Sequence, residues 1–298
     1  MDVNNIVIFG IHLRIRPVAF TIPIGNGWNI YWYGIIIATG FLAALIYAYR
    51  KAKQFDIDID RMMDVVLVTT PLAVLCARAY YVIFDDEKIT GIKDFFGFGE
   101  SNGFTGLAIY GGVIGALVIG GLMCWLRKVK ILDMFDLTMT CFLLAQGIGR
   151  WGNFTNQEAF GVLTGSNFFG MESEKTIAEV GKGMVHPCFL YESIWCIAGF
   201  FLLNYLGKKR KYSGEITLWY GVWYGFERAI VETLRTDSLG QGVRVSCLLS
   251  AVLCIGCAIW LFVNYKRGKT AKKDLLYENM FETEETQDAD EKRTEESK

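Results

Sequence analysis

The sequence predicts an all-α polytopic membrane protein with seven transmembrane helices, an outside N-terminus, a cytoplasmic C-terminus and a small outer loop region. Hydrophobic residues make up 52% of the 298 residues and the mean hydropathy is +0.30, which is too apolar for a soluble domain of this length. Seven segments are long and apolar enough to cross a hydrocarbon core, which takes about 20 residues per helix. Basic clusters follow every second segment, as expected for a chain that crosses a membrane repeatedly.

The seven predicted spans account for most of the chain. They cover residues 30–49, 62–84, 104–125, 131–149, 188–206, 214–235 and 245–265. Residues 1–29 lack the apolar core and small-residue cleavage site of a signal peptide, so we predict an outer interfacial N-terminal segment. Residues 30–265 are then one membrane domain.

Positive charge predicts the orientation of the spans. Basic clusters follow the first, third, fifth and seventh spans, at residues 50–53, 127–130, 208–211 and 266–269. Loops rich in lysine and arginine stay on the cytoplasmic side. The long connections at about 85–103 and 150–187 then lie outside. We expect function there, because the cytoplasmic connections are too short to build a site.

The acidic end of the chain, the net charge and the cysteine pattern give no sign of nucleic-acid, metal or cofactor binding. Residues 266–298 are predicted to be a disordered acidic cytoplasmic tail, with ten acidic and three basic residues from position 274 onward. The net charge of −1 gives no basic excess for nucleic acid. The eight cysteines have no metal-ligand pattern, and the CxxC of Cys254 and Cys257 lies in an apolar run where cysteine packs. We predict no metal and no cofactor.

Polar and charged side chains within or next to the spans converge on the outer level of the membrane. A charge inside a span costs at least about 2.5 kcal/mol on insertion scales, so each one needs a reason. Residues 228, 232 and 235 are spaced by four and three and share a helical face. The residues at this level are Tyr33, Arg78, Tyr110, Arg150, Asn153, Tyr191, Glu192, Arg228, Glu232 and Arg235.

Each of these residues also has a structural interpretation. Arginines near helix ends snorkel to headgroups, Tyr33 fits an aromatic belt, and Arg228 with Glu232 fits a structural ion pair. These interpretations do not explain several arginines on different helices at one depth with only two in-span glutamates. Guanidinium groups bind phosphate oxygens as planar forks, and the abundant phosphate at the outer leaflet belongs to phospholipid headgroups. We therefore predict a phospholipid phosphate site.

The stretch GRWGNFTNQEAFG, Gly149 to Gly161, supplies donors at the outer exit of the fourth span. It resembles the signature of the bacterial prolipoprotein diacylglyceryl transferases, which is close to GRxGNFxNxExxG. Further elements follow in the order of that family, and the resemblance extends from about residue 17 to 265. They are WYG at 32–34, the stretch 78–81, YGGVIG at 110–115, HPCFLYE at 186–192 and RAIVETLR at 228–235.

The resemblance implies a reaction in which the diacylglyceryl group of phosphatidylglycerol passes to the thiol of the lipobox cysteine in a preprolipoprotein. A thioether forms and glycerol phosphate leaves, which is the first step of bacterial lipoprotein maturation. The implied enzyme spans the bacterial plasma (inner) membrane several times, with its active site toward the outer face. Its partners are phosphatidylglycerol, the lipobox segment and the lipid bilayer, with no nucleic acid.

Carried over by motif, the resemblance also implies site residues. Catalytic roles fall to Arg150, Arg228, Glu232, Tyr110 and His186. The residues implied to bind phosphatidylglycerol are Arg150, Asn153, Arg235, Tyr33, Arg78, Asn156, Glu158, Gly161, Tyr191 and Glu192. Many members have histidine at the position of Tyr110, and a tyrosine with an ordinary pKa of about 10 is a poor base. His186, Glu232 and a lipid phosphate oxygen are the alternative proton acceptors.

Two other classes of protein are compatible with intramembrane charges. A transporter uses such charges along an ion or substrate path, but seven spans do not divide into equal halves and the sequence has no repeated hydropathy. A lipid-binding membrane protein without catalytic activity would use the same arginines. A transfer assay separates all three classes.

Overall fold

The structure is a computed structural model that describes residues 3–23, 28–84, 95, 106–235 and 245–267. The described part is mostly helical. Its helices are α1 (Trp32–Lys51), α2 (Ile59–Phe84), α3 (Ile109–Leu126), α4 (Ile131–Thr155), α5 (Glu174–Val180), α6 (Cys188–Gly207), α7 (Glu215–Leu234) and α8 (Val245–Lys266). Apart from Phe95, the predicted outer loop 85–103 lies outside the described residues, and so does the predicted tail beyond residue 267.

Five of these helices, α1 to α4 and α6, are long and apolar enough to cross a membrane. Helix α7 is as long as α6, but Glu227, Arg228 and Glu232 lower its hydropathy. Helix α8 is apolar over Ser250–Lys266. The membrane character predicted from the sequence is therefore confirmed for five helices.

The long helices pack in pairs, with α2 on α3, α1 on α4, α4 on α6 and α7 on α8. Small residues permit this close approach. A Cβ atom added to Gly111 of α3 would lie 2.3 Å from the Tyr80 Cβ, and one added to Gly115 would lie 2.6 Å from the Cys76 Cβ. Small residues are typical of helix contacts in membranes, where close backbone packing replaces the hydrophobic effect.

Five short strands show that the all-α prediction is wrong outside the helices. They are β1 (Asn4–Ile8), β2 (Ile11–Ile15), β3 (Val18–Ile22), β4 (Trp28–Tyr31) and β5 (Met171–Ser173). Strand β1 pairs antiparallel with both β2 and β5, and β3 pairs with β4. The N-terminal segment is thus attached to the 150–187 connection, and we call this end of the helices the sheet end.

A hydrophobic cluster holds these strands against the helices. Ile6 and Met171 are fully buried and pack with Phe154 at the end of α4 and Phe189 at the start of α6. Phe9 and Gly10 join β1 to β2 with positive φ values of 49° and 76°, as a two-residue hairpin turn requires. The sheet therefore fixes where α4 ends and α6 begins.

A cluster of charges lies at the end of the helices opposite the sheet end. It is formed by Arg210, Asp56, Asp133 and Asp136, and we call it the Arg210 cluster. The Arg210 guanidinium contacts Asp136 at 3.1 Å and Asp56 at 3.3 Å, and it also pairs with Asp133. Asp136 is fully buried and accepts the backbone N–H groups of Gly214 at 2.9 Å and of Thr217 at 2.8 Å. It therefore caps the first turn of α7, whose N–H groups have no partner within the helix.

Candidate active site

Three arginines surround one buried glutamate at the sheet end of α4, α6 and α7. Glu192 is fully buried, with one carboxylate oxygen 3.0 Å from the Arg150 Nη1 and the other 2.7 Å from the Arg228 Nη1. The Arg235 Nη1 lies 3.8 Å from the same carboxylate. The predicted convergence of charges from different helices is therefore present. We call Arg150, Glu192, Arg228, Glu232 and Arg235 the Arg150 cluster.

Arg228 joins the two carboxylates of this cluster. Arg228 also contacts Glu232 at 2.9 Å, one helical turn further along α7. Three guanidiniums thus share two contacting carboxylates, Glu192 and Glu232. The arginine side chains are 16% to 19% exposed, so each guanidinium is partly accessible. Accessible guanidiniums in a largely apolar surrounding are suited to bind an anion.

Helix α4 carries the first half of the signature stretch, since it continues to Thr155, six residues beyond the predicted end of the fourth span at residue 149. The Asn153 side chain donates to the Glu158 carboxylate at 3.4 Å, and Lys175 lies 3.8 Å from that carboxylate. Asn156 caps the C-terminus of α4 and is half-buried. The stretch therefore forms a helix end followed by a turn that folds back on Asn153.

Gly161 joins this turn to the segment that follows α7. Its backbone N–H donates to the His186 carbonyl at 2.8 Å, and Gly161 forms an isolated bridge with Arg235. A Cβ atom at this position would lie 2.5 Å from the Leu234 carbonyl oxygen, too close for any side chain. Glycine is therefore required for the backbone contact that positions Arg235.

His186 and Tyr191 lie at the start of α6. The His186 Nδ1 is 3.1 Å from the Tyr191 hydroxyl, and the His186 carbonyl also accepts the Cys188 N–H. These contacts anchor His186 at the start of α6. Its role as a proton acceptor stays a prediction.

Tyr33 packs on the signature helix from α1. A Cβ atom added to Gly152 would lie 2.8 Å from the Tyr33 ring, and Tyr33 is 37% exposed. The WYG element and the signature stretch therefore meet. This contact places the Tyr33 ring against the helix that carries Arg150 and Asn153.

Arg78 and Tyr110 lie outside the described contacts of the Arg150 cluster. Arg78 is buried and donates to the Phe95 and Gly106 carbonyls at 3.0 Å each, so it fixes the connection between α2 and α3. Tyr110 is 69% exposed on α3, the helix that packs on α2. Among the described contacts, neither residue touches the Arg150 cluster. Their roles at the site stay predictions.

Glu227 is the residue that sequence reasoning missed. It lies inside the predicted sixth span, so the count of two in-span glutamates is wrong. It is 4% exposed, and within the described part of the chain both of its carboxylate oxygens lack a hydrogen-bond partner. Its electrostatic neighbours are Glu192, Arg150, Arg228 and Arg235. The signal in the sequence was a glutamate directly before Arg228, which the helical-face argument passed over.

Comparison with known proteins shows the family of this chain. A family model described as prolipoprotein diacylglyceryl transferase matches residues 17–263. A relative from Clostridium novyi (strain NT) is 39% identical over 267 residues, which cover 87% of this chain and 100% of the relative. One from Limosilactobacillus reuteri (strain DSM 20016) is 38% identical over 85% and 93% of the two chains. One from Bacillus cytotoxicus is 39% identical over 83% and 92%.

Each of these relatives is named phosphatidylglycerol–prolipoprotein diacylglyceryl transferase. Long apolar helices with a buried arginine and glutamate cluster, together with this match, define a membrane transferase. The chain belongs to the prolipoprotein diacylglyceryl transferase family, and the resemblance read from the motifs is confirmed.

Proposed function

We propose that this protein transfers the diacylglyceryl group of phosphatidylglycerol to the thiol of the lipobox cysteine in preprolipoproteins. The products are a thioether-linked lipid and glycerol phosphate. The observation that carries the proposal is the Arg150 cluster, in which three partly accessible guanidiniums, from α4, from α7 and from the residue after α7, surround the buried Glu192. Partly accessible guanidiniums of this kind bind a phosphodiester anion through charge-assisted hydrogen bonds.

The reaction needs a place for the charge that develops on the leaving group. The thiolate sulfur attacks the diacylglyceryl carbon next to the phosphate, the C–S bond forms, and the C–O bond breaks with its electrons passing to the phosphate oxygen. The phosphate then carries a second negative charge. Arg150, Arg228 and Arg235 would stabilise it through charge-assisted hydrogen bonds that strengthen as the charge grows.

The other predicted site residues support this arrangement. The two carboxylate oxygens of Glu192 contact the Arg150 and Arg228 guanidiniums, one each. These contacts orient both guanidiniums before lipid binds. Asn153 and Tyr33 lie on or against the Arg150 helix and are proposed to contact the lipid headgroup. Gly161 keeps Arg235 in place through the backbone, and Glu158 orients Asn153.

We further propose seven membrane crossings, with α7 and α8 as the last two. The polar residues of α7 face Glu192 on α6, so this helix crosses in spite of its low hydropathy. The Arg150 cluster lies at the sheet end and the basic residues Arg50, Lys208 and Lys209 lie at the other end. The positive charge supports an outside N-terminus and an active site toward the outer face of the bacterial plasma membrane.

Thiol labelling tests this orientation. A cysteine placed at Ser166, in the 150–187 connection, should react with an impermeant thiol reagent applied to intact cells. A cysteine placed at Lys209 should react only after the membrane is permeabilised. Labelling of the unsubstituted protein gives the background of the native cysteines, and the reverse pattern would contradict the proposed topology.

A transfer assay tests the function itself. The purified protein is incubated with phosphatidylglycerol and a peptide that contains a lipobox, and the peptide mass is measured. We expect the mass to rise by one diacylglyceryl group, and a peptide with serine in place of the cysteine should stay unmodified. If no product forms under conditions where the Clostridium novyi relative gives product, the site would instead serve lipid binding or transport.

A further inference from the structure

Glu227 is a buried acid whose environment differs from that of the other acids near the arginines. Glu192 and Glu232 each contact at least one guanidinium, at 2.7 Å and 2.9 Å from Arg228. Glu227 is equally buried, yet both of its oxygens lack a hydrogen-bond partner among the described residues. A buried carboxylate without partners is costly, so its retention beside the site needs a reason.

The position of Glu227 connects it electrostatically to the phosphate site. It directly precedes Arg228 on α7 and interacts with Glu192, Arg150, Arg228 and Arg235. Because the two open carboxylate oxygens accept hydrogen bonds, their missing partner is a donor. The reaction of the proposed function includes one donor that must be deprotonated, the thiol of the acceptor cysteine, and this thiol reacts at the lipid whose phosphate the neighbouring arginines are proposed to bind.

The residues implied as proton acceptors by the sequence are less suited to that task. Tyr110 is 69% exposed on α3 and outside the described contacts of the Arg150 cluster. The His186 Nδ1 lies on the Tyr191 hydroxyl at the start of α6. The Glu232 carboxylate is occupied by a salt bridge with Arg228.

We propose that Glu227 is the group that accepts the proton of the acceptor thiol, which makes it a catalytic residue of this chain. This inference rests on the proposed function. The S–H proton passes to the Glu227 carboxylate, the sulfur electron pair forms the C–S bond, and the C–O electrons pass to the leaving phosphate. The proton then leaves Glu227 with the product or with water, and the carboxylate is restored.

Balance of charge supports this route. The Glu227 carboxylate loses one negative charge in the same step in which the phosphate gains one. The total charge beside the three arginines is therefore unchanged through the reaction. In a site of low dielectric this avoids the large penalty of creating a new charge, which a distant proton acceptor would not avoid.

The test uses two acceptor peptides that differ in one atom. One carries the lipobox cysteine and the other carries selenocysteine, kept reduced, whose selenol is already ionised at neutral pH. Full-length wild-type protein, Glu227→Gln and Glu227→Asp are compared with phosphatidylglycerol in single-turnover reactions. A general base typically contributes about 100-fold or more to a rate.

We expect Glu227→Gln to lower the rate with the cysteine peptide about 100-fold, and the rate with the selenocysteine peptide only about fivefold or less, because the selenol needs no base. Glu227→Asp should retain more of the cysteine rate than Glu227→Gln. Equal losses with both peptides would mean that Glu227 only positions the lipid or the helix, and an unchanged cysteine rate would mean that it has no role. Either result overturns the proposal.

Two controls keep the outcome decisive. If Glu227→Gln does not fold, the same comparison is made with Glu227→Asp, whose cysteine rate should fall more than its selenocysteine rate. Product from the wild-type protein shows that the transfer reaction exists whatever Glu227 does. Failure of this inference is therefore separate from failure of the proposed function.

Discussion

The Arg210 cluster and the Arg150 cluster place buried charges at opposite ends of the same helices, and they satisfy those charges differently. In the Arg210 cluster one guanidinium meets three carboxylates, and Asp136 also accepts two backbone N–H groups of the first turn of α7. In the Arg150 cluster three guanidiniums meet two carboxylates. Within the described residues, both carboxylate oxygens of the neighbouring Glu227 lack a hydrogen-bond partner.

The difference separates a structural charge cluster from one that is prepared for a ligand. Burial lowers the pKa of the Arg210 guanidinium, but the Asp133 and Asp136 carboxylates outweigh this and raise the pKa above its ordinary value. Arg210 therefore stays charged and paired within the protein. The Arg150 cluster has partly accessible arginines, and within the described residues the neighbouring Glu227 carboxylate has no hydrogen-bond partner. We propose that a phospholipid phosphate and a thiol bind at these groups.

The largest expected effect comes from Glu192→Gln. Its carboxylate contacts three guanidiniums, and an amide there would leave them close together without their shared counterion. Breaking a buried ion pair costs about 3 to 5 kcal/mol, so we expect a large loss of folded protein and no measurable transfer. Membrane yield, thermal stability and transfer are measured beside the exposed control Glu179→Gln. Normal stability and transfer in Glu192→Gln would show that Glu192 does not organise the arginines.

The next effect concerns the backbone that holds Arg235. In Gly161→Ala the new methyl group would meet the Leu234 carbonyl at 2.5 Å, so the bridge to Arg235 must open. A displacement of about 1 Å in a catalytic group can lower a rate by about 100-fold, and we expect a transfer loss of that order. Gly121→Ala is the matched control, because nothing lies within 4 Å of its added Cβ. Equal activity of the two variants would contradict the positioning role.

At the other end of the helices, Asp136→Asn should affect stability and leave the chemistry intact. An asparagine cannot accept at both positions, so Arg210 loses one of its three carboxylate contacts and one N–H group of the α7 first turn loses its acceptor. Such losses cost about 1 to 3 kcal/mol. We expect a lower unfolding temperature but an unchanged rate per folded molecule. A selective loss of rate would mean that the two ends of the helices are coupled.

The smallest effect is expected from deletion of residues 274–298. This acidic segment cannot bury a core, and by the proposed topology it lies across the membrane from the active site. Transfer by the shortened protein should stay within about threefold of the full chain when both are compared at equal amounts. Complete loss at normal expression would assign the tail a function.

Periodicity and charge predicted much of this fold, because a helix of about 20 apolar residues is a long and local signal. The β-strands were missed, since a hydropathy window averages over five-residue strands and β1 pairs with β5 more than 160 residues away. The alternation of IVIFGIHLRI, with a two-residue turn at Phe9 and Gly10, is the signal that predicts the β1–β2 hairpin.

The candidate site was predicted in part for a related reason. Spacing along one helix finds Arg228, Glu232 and Arg235, because residues three and four apart share a face. It does not show that Glu192 is the acid between three arginines, which depends on how α4, α6 and α7 pack. Glu227 was missed because what distinguishes it is a buried carboxylate without a hydrogen-bond partner among the described residues. Spacing along the sequence shows neither burial nor hydrogen bonding.

The central claim is that the Arg150 cluster binds the phosphate that leaves, while the Arg210 cluster only stabilises the fold. Arg150→Lys and Arg210→Lys test it as a matched pair, because both keep the charge and lose the planar fork. We expect Arg150→Lys to fold with nearly normal thermal stability and to lose about 100-fold or more in turnover of phosphatidylglycerol. Arg210→Lys should lose thermal stability and keep its turnover per folded molecule. Wild-type turnover by a well-folded Arg150→Lys protein would contradict the account.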